Sequence, residues 1–144
     1  MDGKENLMYK RKKDQLYYTN RHSCFLLQYH MVLVTKYRKP VLQGKVKESV
    51  YNIIKDLCDE RGYRILEING EPDHVHLLFE TGPDMSPMEF ANVVKTKTAR
   101  FTRRDYPKEV GKYYWKPYFW TDSYFVTTVG TNSRAVVQDY IKNQ

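Results

Sequence analysis

Apolar periodicity along this chain of 144 residues runs in the order strand, helix, strand, strand, helix, strand, with one more helix at the end. A side-chain period of two marks a strand and a period of about 3.6 marks a helix. Residues 24–35 read Cys-Phe-Leu-Leu-Gln-Tyr-His-Met-Val-Leu-Val-Thr, dense in β-branched and aromatic side chains, without glycine or proline. One long, largely buried strand is expected there. Val46, Val50, Ile53, Ile54 and Leu57 follow at helical spacing, and Arg61-Gly62 supplies a glycine stop. Tyr63 to Ile68 reads as a second strand, Asn69-Gly70 as a turn, and Asp73 to Glu80 as its antiparallel partner. Ser86-Pro87-Met88-Glu89 combines a capping serine, a proline suited to the first helical position and a glutamate completing a capping box. That helix is expected to reach Arg104 or Asp105. Tyr113 to Trp120 is an aromatic connector, and Tyr124 to Val129 a fourth strand ended by Gly130. Asn132 or Ser133 caps a last helix through Ala135, Val136, Val137, Tyr140 and Ile141.

This order predicts an α/β (α+β) fold of the ferredoxin-like, RRM-like, split βαβ type. Four antiparallel strands carry two helices on one face, and the other face is open unless something covers it. Residues 1–22, with the run Lys10-Arg11-Lys12-Lys13, lack apolar periodicity and read as a polar basic arm ahead of a single domain at 23–144. Lys+Arg total 24 against 17 Asp+Glu, a formal charge of +7 that favours nucleic acid as partner. A hydrophobic content of 41% excludes a mostly disordered chain. No apolar run approaches the roughly 18 residues of a membrane span, and the polar N-terminus is unlike a signal peptide. Cys24 and Cys58 are isolated thiols, against a disulfide scaffold or a cysteine zinc site, and suit a reducing bacterial or archaeal cytoplasm.

Within Asp73-His74-Val75-His76-Leu77-Leu78-Phe79, alternation turns His74 and His76 to one face and Val75, Leu77 and Phe79 to the other. The apolar set belongs against the helices, so the histidines belong on the open face. Two imidazoles one pleat apart can hold a metal ion or can be two surface histidines. Tyr140 and Gln144, four apart, share a helix face with Val136, Val137 and Ile141 within an arc of about 140°. A tyrosine on such a stripe fits a core, and a glutamine fits it less well, because its amide needs partners. Lys95, Lys97, Arg100, Arg103 and Arg104 fall within ten residues, with few acids to oppose them. Both a solvated face and phosphate contact fit that run. His30 reads as a sheet histidine with satisfied hydrogen bonds. Tyr113, Tyr114, Trp115, Tyr118, Phe119 and Trp120 could stack on unpaired bases, cover a sheet end or form a dimer contact.

Pro72-Asp73-His74-Val75-His76-Leu77-Leu78 resembles the HUH motif, two histidines around one bulky apolar residue. Thr127-Thr128-Val129-Gly130 and Tyr140-Ile141-Lys142-Asn143-Gln144 resemble the end of the single-tyrosine HUH transposases of the IS200/IS605 group of insertion sequences. Thr35-Lys36-Tyr37-Arg38-Lys39-Pro40 fits the same pattern, and the resemblance covers roughly residues 24–144. It implies a divalent metal, Mg2+ or Mn2+, on His74 and His76, with Gln144 as third ligand. It implies Tyr140 as nucleophile on single-stranded DNA, leaving a 5′-phosphotyrosine and a free 3′-hydroxyl. DNA contacts are expected from Lys36, Arg38, Lys39, Lys95, Lys97, Arg100 and Arg104. The family further implies hairpin-ended DNA and a homodimer whose active sites are shared between chains. It also leads one to expect chain beyond Gln144. A phenol, ordinarily with a pKa of about 10, is a poor nucleophile at neutral pH, and a metal that polarises the phosphate compensates for this. Imidazole ligands favour transition metals, and manganese meets both demands. Two rival readings share the scaffold: a non-catalytic binder of single-stranded DNA or RNA hairpins, and a rolling-circle or relaxase-type HUH nickase.

Overall fold

In a computed structural model the described residues are 16–144. Their strands are β1 (Tyr18–Thr19), β2 (Cys24–Phe25), β3 (Leu27–Val34), β4 (Arg64–Glu71), β5 (His74–Thr81) and β6 (Phe125–Thr128). Their α-helices are α1 (Gly44–Arg61), α2 (Pro87–Asp105), α3 (Pro107–Gly111) and α4 (Ser133–Lys142). The main sheet is antiparallel in the order β4-β5-β3-β6, and β1 and β2 form a separate small ladder. The expected four-stranded α+β architecture is present.

One sheet face sends Met31, Leu33, Val75, Leu77 and Phe79 into a core with Val46, Val50, Ile54 and Leu57 of α1 and Phe90, Ala91 and Val94 of α2. Burying each large side chain there contributes about 1.5–3 kcal/mol. Ser86 Oγ accepts from Glu89 N–H at 3.3 Å ahead of Pro87, as the sequence marks predicted. Gly62 takes a left-handed conformation, φ 71°, and ends α1.

Several features differ from the sequence reading. The long strand expected over 24–35 breaks at Leu26, because Cys24 and Phe25 pair with Thr19 and Tyr18 instead. The Tyr18 ring stacks on Phe25 at 5.7 Å, and its hydroxyl donates to Glu80 at 2.6 Å. Residues 16–22 of the expected arm therefore include a strand fastened to the fold, while residues 1–15, with the Lys10–Lys13 run, lie outside the described residues. The reversal before β5 falls at Pro72-Asp73, not Asn69-Gly70: Glu71 pairs with His74 and Gly70 with Val75. Proline presets the turn torsion, so Asn69-Gly70 stays within the strand. A register shift between Ile65 and Glu67 turns Glu67 and Asn69 to the histidine face. Finally, that face is not open: α4 lies on it, with Val137 packed on Val32 and Val34. Pro107, beyond the end of α2, opens a short additional helix, α3, ahead of the aromatic connector.

Candidate active site on the histidine face

Strand register lays out the face in rows. Glu71, His74 and Val34 stand side by side; so do Asn69, His76, Val32 and Phe125; so do Leu78, His30 and Thr127. His74 and His76 share this face as period-two alternation required, and both are buried.

Each histidine is gripped by one ring nitrogen. His74 Nδ1–H donates to Asp73 Oδ1 at 2.9 Å, and the same carboxylate accepts from Arg38 Nε at 3.0 Å. Burial alone would raise the Asp73 pKa, but hydrogen bonds from His74 and Arg38 and the guanidinium charge hold it below the ordinary carboxylate value. His76 Nε2 lies 2.7 Å from His30 Nδ1, and His30 Nε2 lies 3.1 Å from Ser133 Oγ. Burial pushes the His76 pKa down to about 4, with His30 acting in the same direction. Burial likewise holds the His30 pKa below its ordinary value. His30 is satisfied at both ring nitrogens, as the sequence reading expected, but one of its partners is a candidate site residue.

The second nitrogen of each candidate ligand, His74 Nε2 and His76 Nδ1, makes no hydrogen bond among the described residues. A held imidazole with its other nitrogen unengaged is the usual form of a metal-ligating histidine. The donor set therefore fits a divalent ion at two positions. No group of three or more His, Cys, Asp or Glu side chains among the described residues could complete a metal cage. Further ligands would be oxygen donors such as an amide, water or substrate, or groups of another chain.

Tyr140 is elsewhere on the same face. Its ring stacks on Phe125 at 4.9 Å and its hydroxyl lies 2.8 Å from Ser123 Oγ. Phe125 and His76 are separated by Val32, two strand spacings or roughly 10 Å. The Gln144 amide turns back on its own helix, donating to the Tyr140 carbonyl at 3.1 Å. Within one chain, neither Tyr140 nor Gln144 hydrogen-bonds to His74 or His76.

The basic candidates divide into two groups. Arg38 is joined to His74 through Asp73, and Lys36 Nζ lies 5.4 Å and 5.2 Å from the Tyr37 and Tyr118 ring centres. Lys95 Nζ reaches the Ser123 carbonyl at 3.5 Å, beside the Tyr140 contact. Lys39 is exposed. Lys97, Arg100 and Arg104 are exposed on α2, which packs on the opposite sheet face, and Arg104 is paired with Asp105 at 2.7 Å. Of the connector aromatics, Tyr114, Phe119 and Trp120 are buried, whereas Trp115 is 84% exposed and available for stacking. The sequence did not show that Asp73 grips His74, that His30 joins His76 to Ser133, or that Ser123 meets Tyr140. Only Asp73 carried a signal, its position next to His74.

The decisive comparison is with family models: residues 23–144 match the one for IS200-like transposases. The chain belongs to the IS200-like transposases. It is a DNA transposase, 34% identical over 120 residues to the ISDra2 transposase TnpA of Deinococcus radiodurans, spanning 83% of this chain and 85% of that relative. It is 36% identical over 123 residues to the transposase for insertion sequence element IS200 of Salmonella typhimurium, spanning 85% and 80% respectively. A crystal structure described as a Deinococcus radiodurans transposase matches this transposase with a TM-score of 0.79 and 32% identity, over 88% of this chain and 96% of the other. A REP-associated tyrosine transposase, solved bound to a REP hairpin, shares the fold at a TM-score of 0.57 and 10% identity, over 83% and 68%. The family and fold implied by the sequence resemblance are both present. No helix among the described residues is long and apolar enough to cross a membrane.

Proposed function

We propose that this transposase cleaves and rejoins single-stranded DNA at hairpin-bearing element ends, with Tyr140 as nucleophile and His74, His76 and Gln144 as ligands of Mg2+ or Mn2+. One observation carries the reading: His74 and His76 share one face, each with one ring nitrogen held by a partner and the other unengaged. His74 and His76 would hold the ion through their unengaged nitrogens, and it would supply positive charge to the scissile phosphate. The Tyr140 oxygen attacks phosphorus and displaces the 3′-oxygen, which leaves a 5′-phosphotyrosine and a 3′-hydroxyl. The phosphotyrosine bond keeps the energy of the broken ester, so a second 3′-hydroxyl can reverse the step without a nucleotide cofactor. Lys36, Arg38, Lys39 and Lys95 on the tyrosine and histidine sides guide the strand, while Lys97, Arg100 and Arg104 on the helical layer contact flanking phosphates. Residues 23–144 form the catalytic domain.

We place the working site across a homodimer. Tyr140 sits over Phe125, whose strand position lies two strand spacings, roughly 10 Å, from that of His76, and α4 of a second chain offers the same Tyr140-x-x-x-Gln144 face to the first chain's histidines.

The experiment is a denaturing gel of protein mixed with labelled single-stranded DNA from the ends of its own element, with Mn2+. An SDS-resistant band is expected, absent in Tyr140→Phe and with chelator. A band that persists in Tyr140→Phe excludes this nucleophile. A native-gel shift without any covalent band supports a binding protein instead.

A further inference from the structure

A chain of four hydrogen-bonding groups joins the start of the tyrosine helix to the HUH strand, and the direction of each bond can be assigned. Ser133 Oγ–H donates to the Gly130 carbonyl at 3.0 Å. A hydroxyl has one proton, so Ser133 Oγ accepts from His30, whose Nε2 carries the hydrogen at 3.1 Å. A neutral imidazole protonated at Nε2 has its lone pair at Nδ1. His30 Nδ1 therefore accepts, and His76 Nε2–H donates across the 2.7 Å contact. The remaining His76 nitrogen, Nδ1, is left with its lone pair. On the neighbouring residue the Asp73 carboxylate can only accept, so His74 holds its proton at Nδ1 and its lone pair at Nε2. The relay is held at its middle and beside its start: His30 is 1% exposed, and Arg134, next to Ser133, is paired with Glu67 on β4.

We propose that His30 and Ser133 are positioning residues that fix the His76 tautomer, so that His76 binds the metal through Nδ1 while His74 binds through Nε2, and only while the start of α4 is docked on the sheet. This rests on the metal reading above but adds two residues outside the HUH motif, and it couples the tyrosine helix to the metal site within one chain. Without the Ser133 hydroxyl, His30 loses its reason to hold a proton at Nε2. It can then donate from Nδ1 to His76 Nε2, moving the His76 proton to Nδ1 and blocking that site.

The test is long-range proton–nitrogen NMR of histidine-labelled full chain at pH 7.5 without metal, followed by Mn2+ titration read from the EPR signal of the free ion. Wild type is expected to show His76 protonated at Nε2 and His74 at Nδ1. Ser133→Ala should shift the His76 tautomer and weaken Mn2+ binding about tenfold, whereas Ser133→Thr, which keeps a hydroxyl, should restore both. His30→Asn keeps an acceptor for His76 and should retain the tautomer. Wild-type His76 protonated at Nδ1, or a Ser133→Ala chain with unchanged tautomer and Mn2+ affinity, overturns the proposal. If Ser133→Ala unfolds, the wild-type and His30→Asn spectra still decide it. Mn2+ binding unaffected by His74→Ala overturns the metal reading itself, a result distinct from a wrong tautomer.

Discussion

His76 is 7% exposed and its ring stacks on His30 at 5.0 Å, surroundings that oppose a charge on it. Burial, then His30, Arg134 and His74, push its pKa down to about 4, while Glu67 acts against them. In the unfolded chain a histidine protonates near its ordinary value of about 6.5. The unfolded state thus binds more protons between these values, and stability is complete above about pH 6.5 and is lost as pH falls toward 4. Thermal melts of the wild type are expected to show a falling Tm across that window. His76→Gln can donate an amide hydrogen to His30 without titrating, so its profile should be flatter, though not flat, because burial also holds His30 below its ordinary pKa. An unchanged slope in His76→Gln would contradict this assignment. Period-two alternation made the shared face of His74 and His76 legible in the sequence. The role of His30 was not, because it meets His76 diagonally through strand register and meets Ser133 across 103 positions of chain.

The β4–β5 hairpin shows why local turn signals mislead. Asn69-Gly70 looks like a reversal, yet Gly70 is a strand residue at φ 152° whose missing Cβ makes room for the His74 backbone carbonyl. A methyl at Gly70 would collide with that carbonyl while the backbone sits where L residues are strained. Gly70→Ala is expected to cost about 1–3 kcal/mol, read as a lower midpoint in urea unfolding, and to lower covalent adduct yield by disturbing His74. A midpoint within experimental error of wild type would show that the hairpin relaxes freely. The α4 helix was legible from its apolar stripe, but its seat was not. A stripe of Val137, Tyr140 and Ile141 demands an apolar surface without saying which sheet face, or whose. The small β1–β2 ladder was hidden because Tyr18 and Thr19 sit in a polar stretch. Their anchor is the buried Glu80, which also accepts from Gln28 Nε2 at 2.7 Å.

Across the whole molecule, a chain of net charge +7 carries a split βαβ sheet with α1 and α2 on one face and α4 on the other, and Tyr140 and the two histidines lie apart on the α4 face. The fold was legible because each period change coincides with a capping or turn residue. The distance between Tyr140 and the histidines was not, since it depends on where α4 crosses the sheet. That separation predicts complementation. Neither His74→Ala/His76→Ala nor Tyr140→Phe alone should form an adduct, but mixed subunits should recover a fraction of wild-type yield, with DNA attached only to the chain that keeps Tyr140. No recovery on mixing, with dimers confirmed by light scattering, would mean that each chain completes its own site. The central chemistry is tested most directly by mass spectrometry of the protein–DNA adduct. After nuclease and protease digestion, the account predicts a nucleotide 5′-phosphate on the peptide carrying Tyr140 and on no other. A nucleotide on another residue, such as Ser123 or Tyr124, would contradict it.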